Sequence, residues 1–159
     1  MSILNDMSEP ERQSWITLLA DGMVFIWFWK SIAPGWSLSP DHLSPAETGG
    51  LFLKLIFVTI FYHAIIGAVF ALRRRKGDVD KDERDLEIQA FGSSIGYTAL
   101  YLGVGVVIVG ILMSYVIGVG YTPSISFTTP VEILFSLVFV SYAADLLRHT
   151  AIVTRYQVN

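Results

Sequence analysis

The chain has 159 residues, of which 53% are apolar and only 16% are charged, whereas a soluble domain typically carries about 25% charged residues. The absence of cysteine excludes thiol redox enzymes and thiolate metal sites, because both need the missing sulfur. A net charge of −3 without a long basic run argues against a nucleic-acid partner. The mean hydropathy of +0.55 instead favours lipid as the main solvent and partner.

Four apolar runs follow one another along the chain, and each is long enough to cross a bilayer at about 20 residues per span. Together they leave no segment large enough for a separate soluble domain. The sequence therefore predicts an all-α polytopic membrane protein that forms a single domain over residues 1–159. Its four transmembrane helices are predicted to cover approximately 9–34, 45–76, 82–119 and 130–156.

Each predicted helix begins with a capping signal, in which a small oxygen-bearing side chain precedes a glutamate by three positions. Such a pair satisfies backbone N–H groups that the first turn of a helix leaves without partners. The four pairs are Ser8 with Glu11, Ser44 with Glu47, Asp80 with Glu83, and Thr129 with Glu132.

Basic residues predict the orientation, since Lys and Arg accumulate on the cytoplasmic side of short loops. Threading the helices from the basic turn after the second run places nine basic residues on one side, and only Lys30 and Lys54 toward the other. We therefore expect both termini inside, in what we predict to be a prokaryotic cytoplasmic membrane.

The third helix carries a row of small residues at steps of four and seven, which keeps them on one helical face. Small residues let another backbone approach closely. The row predicts tight packing within one bundle, with a homo-oligomer seam or a ligand groove as alternatives. Its members are Gly92, Gly96, Gly103, Gly110, Ser114 and Gly118.

Ionisable residues inside a membrane are costly and are candidates for function. Asp21 lies about two turns into the first helix, with no basic residue within one turn. It is either a proton or cation site, or a structural acid that is hydrogen-bonded or paired with an arginine near Arg73. His63 lies near mid-bilayer and is either a core histidine or part of a proton pathway with Asp21. Asp145 completes the candidate polar site.

No cofactor, metal or catalytic site is predicted. Asp145 and His149 are spaced like metal ligands, at i and i+4, but two ligands do not make a site. A haem would need a second histidine at the depth of His63. Alternating acids after residue 77 resemble the start of a calcium loop, which then lacks the required glycine and glutamate. We therefore expect a protein that is not an enzyme.

The segment Asp82-Glu83-Arg84-Asp85, followed by Ile88 and Tyr97, opens the third helix. With Asp145, the apolar stretch 146–153 and Arg155-Tyr156, it resembles a family of small predicted four-helix membrane proteins of unknown function. The resemblance covers roughly the second half of the chain and implies architecture rather than an activity. Some members accompany small helix-turn-helix regulators, which by analogy suggests regulation or sensing.

Two functions follow as expectations. The first is a regulatory or assembly protein, with a charged cytoplasmic platform formed by residues 73–87 and the C-terminal tail, that acts on an unidentified protein partner. The second is a small proton-coupled transporter that works as a homodimer through Asp21, with His63 as a further candidate. A cavity that reaches Asp21 would favour transport, and a closed contact would favour the first.

Overall fold

The computed structural model describes Met7, residues 9–32, 43–73, 83–114, Phe127 and residues 129–158. Within this part of the chain all the regular structure is helical: α1 (Glu9–Ile32), α2 (Pro45–Arg73), α3 (Glu83–Leu112) and α4 (Pro130–Val158). Each helix is long and apolar enough to cross a membrane, as expected of an integral membrane protein.

The helices begin at residues 9, 45, 83 and 130, against predicted starts at 9, 45, 82 and 130. The backbone N–H of Ser44 donates to Glu47 Oε2 at 2.9 Å, and the Glu47 N–H donates back to Ser44 Oγ at 3.3 Å. Thr129 and Glu132 form the same reciprocal pair at 2.8 and 3.3 Å. These are capping boxes. The predicted caps at Ser8 and Asp80, and the predicted helix ends at 34, 76 and 119, lie outside the described residues. The fourth helix, predicted to end at 156, continues to Val158.

Consecutive helices run antiparallel. Phe28, near the end of α1, packs on Phe52, near the start of α2, and Asp21, earlier in α1, meets Tyr62, later in α2. Residue numbers therefore rise along α1 as they fall along α2. Helix α4 lies between α3 and α1, and α1 in turn packs on α2. Helix α2 also reaches α4, through Thr59 and Tyr142.

An aromatic and aliphatic core fills the end of the bundle where α1 ends and α2 and α4 begin. Phe28 and Ile32 are at most 1% exposed, and they pack with Phe52, Leu55 and Phe135. The Phe28 ring lies 5.4 Å from that of Phe52 and 5.9 Å from that of Phe135. This cluster fixes α1 between its two neighbours.

The glycine row of α3 faces its own chain. A Cβ atom at Gly92 or Gly103 would collide with the side chains of Ile152 or Val140 of α4. At Gly96 it would lie 2.8 Å from Arg148 Cβ. The described glycines of the row therefore pack closely within one molecule, and the last of them, Gly110, faces Phe127. Ser114 is half-buried, and Gly118 lies outside the described residues.

Candidate functional site

A cluster of polar side chains lies at one level of the bundle. Asp21 is twelve positions after the start of α1, Asp145 is thirteen before the end of α4, and Tyr62 is eleven before the end of α2. At 1.5 Å per residue, all three lie about 18 Å from the same end of their helices. Antiparallel packing thus brings together residues that are far apart in sequence.

Asp21 is 2% exposed and is among the most deeply buried side chains of the described residues. Its Oδ1 accepts a hydrogen bond from the Tyr62 hydroxyl of α2. Its Oδ2 has no hydrogen-bond partner in the part of the chain that the structure describes. A carboxylate in lipid normally finds partners for both oxygens. Oδ2 of Asp21 is therefore available to bind a proton or another ligand.

Asp145 faces both a guanidinium and an imidazole on its own helix. Its Oδ1 lies 4.0 Å from an Arg148 guanidinium nitrogen, and its Oδ2 lies 3.8 Å from His149 Nε2. Both separations exceed hydrogen-bond length. Asp21, Asp145 and His149 each offer one ligand-type atom, and these three atoms lie within 4.8 Å of one another. The cluster therefore joins α1 to α4 through groups that can hold a cation or a proton.

A second polar contact, one turn away, joins α2 to α4. Thr59 Oγ1 is hydrogen-bonded to the Tyr142 hydroxyl. Because the Thr59 hydroxyl proton is already donated to the Leu55 carbonyl at 2.8 Å, Tyr142 is the donor of this bond. Thr59 and Tyr62 together hold α2 against the other two helices at the level of the cluster.

His63 lies next to this cluster but outside it. Its side chain is exposed, and Nδ1 lies 3.0 Å from the Thr59 carbonyl, to which it must donate because a carbonyl only accepts. The ring lies 4.4 Å from the ring of Tyr62, between centroids. Its hydrogen bond therefore goes to α2 rather than to Asp21.

A groove of about 320 Å³ lies between α3 and α4 and reaches Asp145, whereas Asp21 does not line it, so among the described residues the groove meets the cluster only through Asp145. Asp145 and Arg148 supply its charged wall, and Ser93, Tyr97 and Ser141 add hydroxyl groups. Gly96 keeps the two helices close beside it. Asp145 thus lies between the buried Asp21 on one side and the open groove on the other.

The charges of the cluster do not balance when every group has its ordinary ionisation state. Two carboxylates, Asp21 and Asp145, face a single guanidinium, that of Arg148. An excess charge in a membrane is strongly unfavourable, and two adjacent carboxylates tend to share a proton. Neutrality needs one more positive charge: a proton on a carboxylate, a proton on His149, or a bound cation.

No protein-family model, curated protein or solved structure matches this chain. The resemblance to a family of small four-helix membrane proteins therefore stays a prediction, and the site is interpreted from its own geometry.

The sequence indicated Asp21, His63 and Asp145 as candidates but did not indicate that Tyr62, Thr59 and Tyr142 join them. Nor did it indicate that Asp21 adds a third group to the metal-like pair of Asp145 and His149. Counting residues from the helix ends would have placed Asp21, Tyr62 and Asp145 at one depth. The rotation of each helix about its axis was the missing information.

Proposed function

We propose that this protein is a small proton-coupled membrane transporter in which the cluster of Asp21 and Asp145 holds the exchangeable proton. The observation that carries the proposal is the unbalanced charge of the cluster beside an open groove. Asp21 Oδ2 is buried without a hydrogen-bond partner among the described residues, while Asp145 lines the groove. A proton that neutralises the pair can thus reach the groove through Asp145.

The topology predicted from the basic residues is part of this proposal. Both termini and the turn between α2 and α3 then face the cytoplasm, as expected for a prokaryotic cytoplasmic membrane. The cluster would lie close to the middle of α1 and α4. A homodimer, which would provide more room for a substrate path than four helices, would use faces other than the part of the glycine row that α4 covers, at Gly92, Gly96 and Gly103.

Reconstituted vesicles that contain a pH-sensitive dye test the proposal. We expect wild-type protein to move protons when at least one member of a panel of choline, small amines and Mn²⁺ is supplied outside. Asp21→Asn and Asp145→Asn should abolish this flux, because an amide keeps the shape but cannot exchange a proton. Glu83→Gln, which changes an exposed acid at the start of α3, should leave the flux unchanged.

Two results would contradict transport through this site. One is wild-type vesicles that move no protons with any member of the panel. The other is a flux that persists at the wild-type rate in both Asp→Asn variants. Circular dichroism and gel filtration in detergent show whether each variant still folds.

A regulatory or assembly role is the second candidate, and it is favoured by ordered contacts at the charged end of the bundle. The Tyr156 hydroxyl donates to Asp85 Oδ1 at 2.6 Å. Arg155 lies 4.0 Å from Glu87 Oε1, and its guanidinium carbon is 5.5 Å from the centroid of the Phe91 ring. These contacts tie the end of α4 to the start of α3, and so support a defined charged surface for a protein partner. Charge reversal at Arg84, an exposed residue of this surface, should impair that role without changing proton flux.

A further inference from the structure

Three potential metal ligands meet in the interior of the bundle. Asp145 and His149 are one helical turn apart on α4, and Asp21 approaches them from α1. One ligand atom from each lies within 4.8 Å of the other two. Carboxylate oxygen and imidazole nitrogen are ligands that divalent transition metals bind well.

An unsatisfied polar atom of the cluster is a second and independent indication of a ligand. Asp21 is 2% exposed, yet its Oδ2 has no hydrogen-bond partner in the described part of the chain. Buried polar atoms are normally satisfied, so this oxygen indicates that the cluster is completed by something it binds.

We propose that Asp21, Asp145 and His149 form a binding site for a divalent transition-metal ion of the Zn²⁺ or Mn²⁺ class. This inference rests on the proposed transport function and names its cargo, which would exchange with the proton of the cluster. The two carboxylates offset the two charges of the ion, and the half-exposed guanidinium of Arg148, which lines the groove between α3 and α4, keeps its own positive charge. The imidazole favours a transition metal over Ca²⁺ and Mg²⁺, which prefer oxygen ligands alone.

To hold such an ion, the three ligand atoms, which lie within 4.8 Å of one another, must move closer together. Tetrahedral Zn²⁺ with bonds of about 2.0–2.1 Å places its ligand atoms about 3.4 Å apart. Asp145 Oδ2 and His149 Nε2 are 3.8 Å apart. Arg148 lies on the other oxygen of Asp145, at 4.0 Å, so it leaves Oδ2 available to the ion.

Tyr62 orients one of the three ligands. Its hydroxyl donates to Asp21 Oδ1, which leaves Oδ2 for the metal. Hydrogen bonds of this kind hold metal ligands in their binding orientation, and their loss commonly weakens metal affinity on the order of tenfold or more.

Titration of the purified full-length protein with Co²⁺ in detergent tests the site, since bound Co²⁺ is followed by its visible absorption and its heat of binding. We expect one ion per chain in the wild type, and binding weakened by about tenfold or more in His149→Ala, Asp145→Asn and Tyr62→Phe. Tyr101→Phe is the matched control for Tyr62→Phe, because Tyr101 lies on α3 and is 70% exposed. It should bind Co²⁺ as the wild type does.

Absence of Co²⁺ binding by folded wild-type protein would overturn the inference, and so would equal affinity in the wild type and a folded His149→Ala variant. His149→Gln gives a second test if the alanine variant fails to fold. The proton flux separates this inference from the function on which it rests. Flux that is lost in Asp21→Asn, with no metal binding by the wild type, contradicts the metal site alone. Metal binding without any proton flux contradicts transport, and with it the role of the ion as cargo.

Discussion

The hydroxyl that donates to Asp21 Oδ1 comes from α2, whereas the charged groups beside Asp21 belong to α4. The donor is Tyr62 of α2, while Asp145 and His149 belong to α4. The Asp21 carboxylate of α1 therefore lies in contact with groups of both α2 and α4. Removing the Tyr62 hydroxyl therefore measures how much this contact between α2 and the cluster contributes to stability.

Tyr62→Phe should lower the free energy of unfolding by about 1 kcal/mol, because a buried acceptor on Asp21 loses its donor. Thermal unfolding in detergent measures the change. Tyr101→Phe is the matched control, since Tyr101 is 70% exposed, and it should be close to neutral. Equal stability of the two variants would show that the Tyr62 hydroxyl contributes nothing to holding α2.

The residue pattern identified Asp21 and Asp145 as unusual because polar groups are rare in such apolar helices. It did not reveal Tyr62 as a partner, and the reason is physical. Helix α2 is apolar around most of its circumference, with large exposed side chains such as Phe57, Phe61 and Ile65. A helix of this kind has no polar face from which its rotation can be deduced.

At the level of the helices, the beginnings were predictable and the contacts were less so. The caps at Ser44 and Thr129 depend on side chains only three positions apart, so local sequence is sufficient. The glycine row of α3 also has a local signal, its spacing, which predicted close packing. Its partner, α4, was not specified by that spacing, because small residues permit approach by any helix.

Gly103 and Gly105 provide a matched pair on α3 that tests this packing. A Cβ at Gly103 would collide with Val140, whereas a Cβ at Gly105 has nothing within 4 Å. Gly103→Leu should therefore lower the free energy of unfolding by about 1–3 kcal/mol through overpacking, and Gly105→Leu should not.

Thermal unfolding and gel filtration in detergent measure both variants side by side. If Gly103→Leu left stability and oligomeric state unchanged, the close packing of α3 on α4 at Val140 would be contradicted. A change of oligomeric state in Gly105→Leu alone would instead indicate that the open face of α3 contacts another copy.

For the molecule as a whole, the number of helices and their membrane character could be predicted from composition and length. The uneven distribution of basic residues predicts the orientation as well, and that prediction stands to be tested. The chain has no cysteine, which makes single-cysteine labelling unambiguous.

Single cysteines at Ser2, Ser39 and Asn159 should report the topology when intact cells are treated with a membrane-impermeant maleimide. We expect labelling at position 39 only, because it lies in the turn predicted to face outward, while positions 2 and 159 become labelled after the cells are lysed. Labelling at 2 or 159 in intact cells, without labelling at 39, would reverse the proposed orientation.

The attachment of α2 has a consequence for how the molecule assembles. Lipid tails are as apolar as the side chains of this helix, so the hydrophobic effect gives α2 little reason to leave lipid for the bundle. Besides its packing on α1 near Phe52, α2 is held at the cluster by the hydroxyls of Thr59 and Tyr62. It should consequently be the last helix to associate after insertion and the first to separate, and each separation would uncover the carboxylate of Asp21.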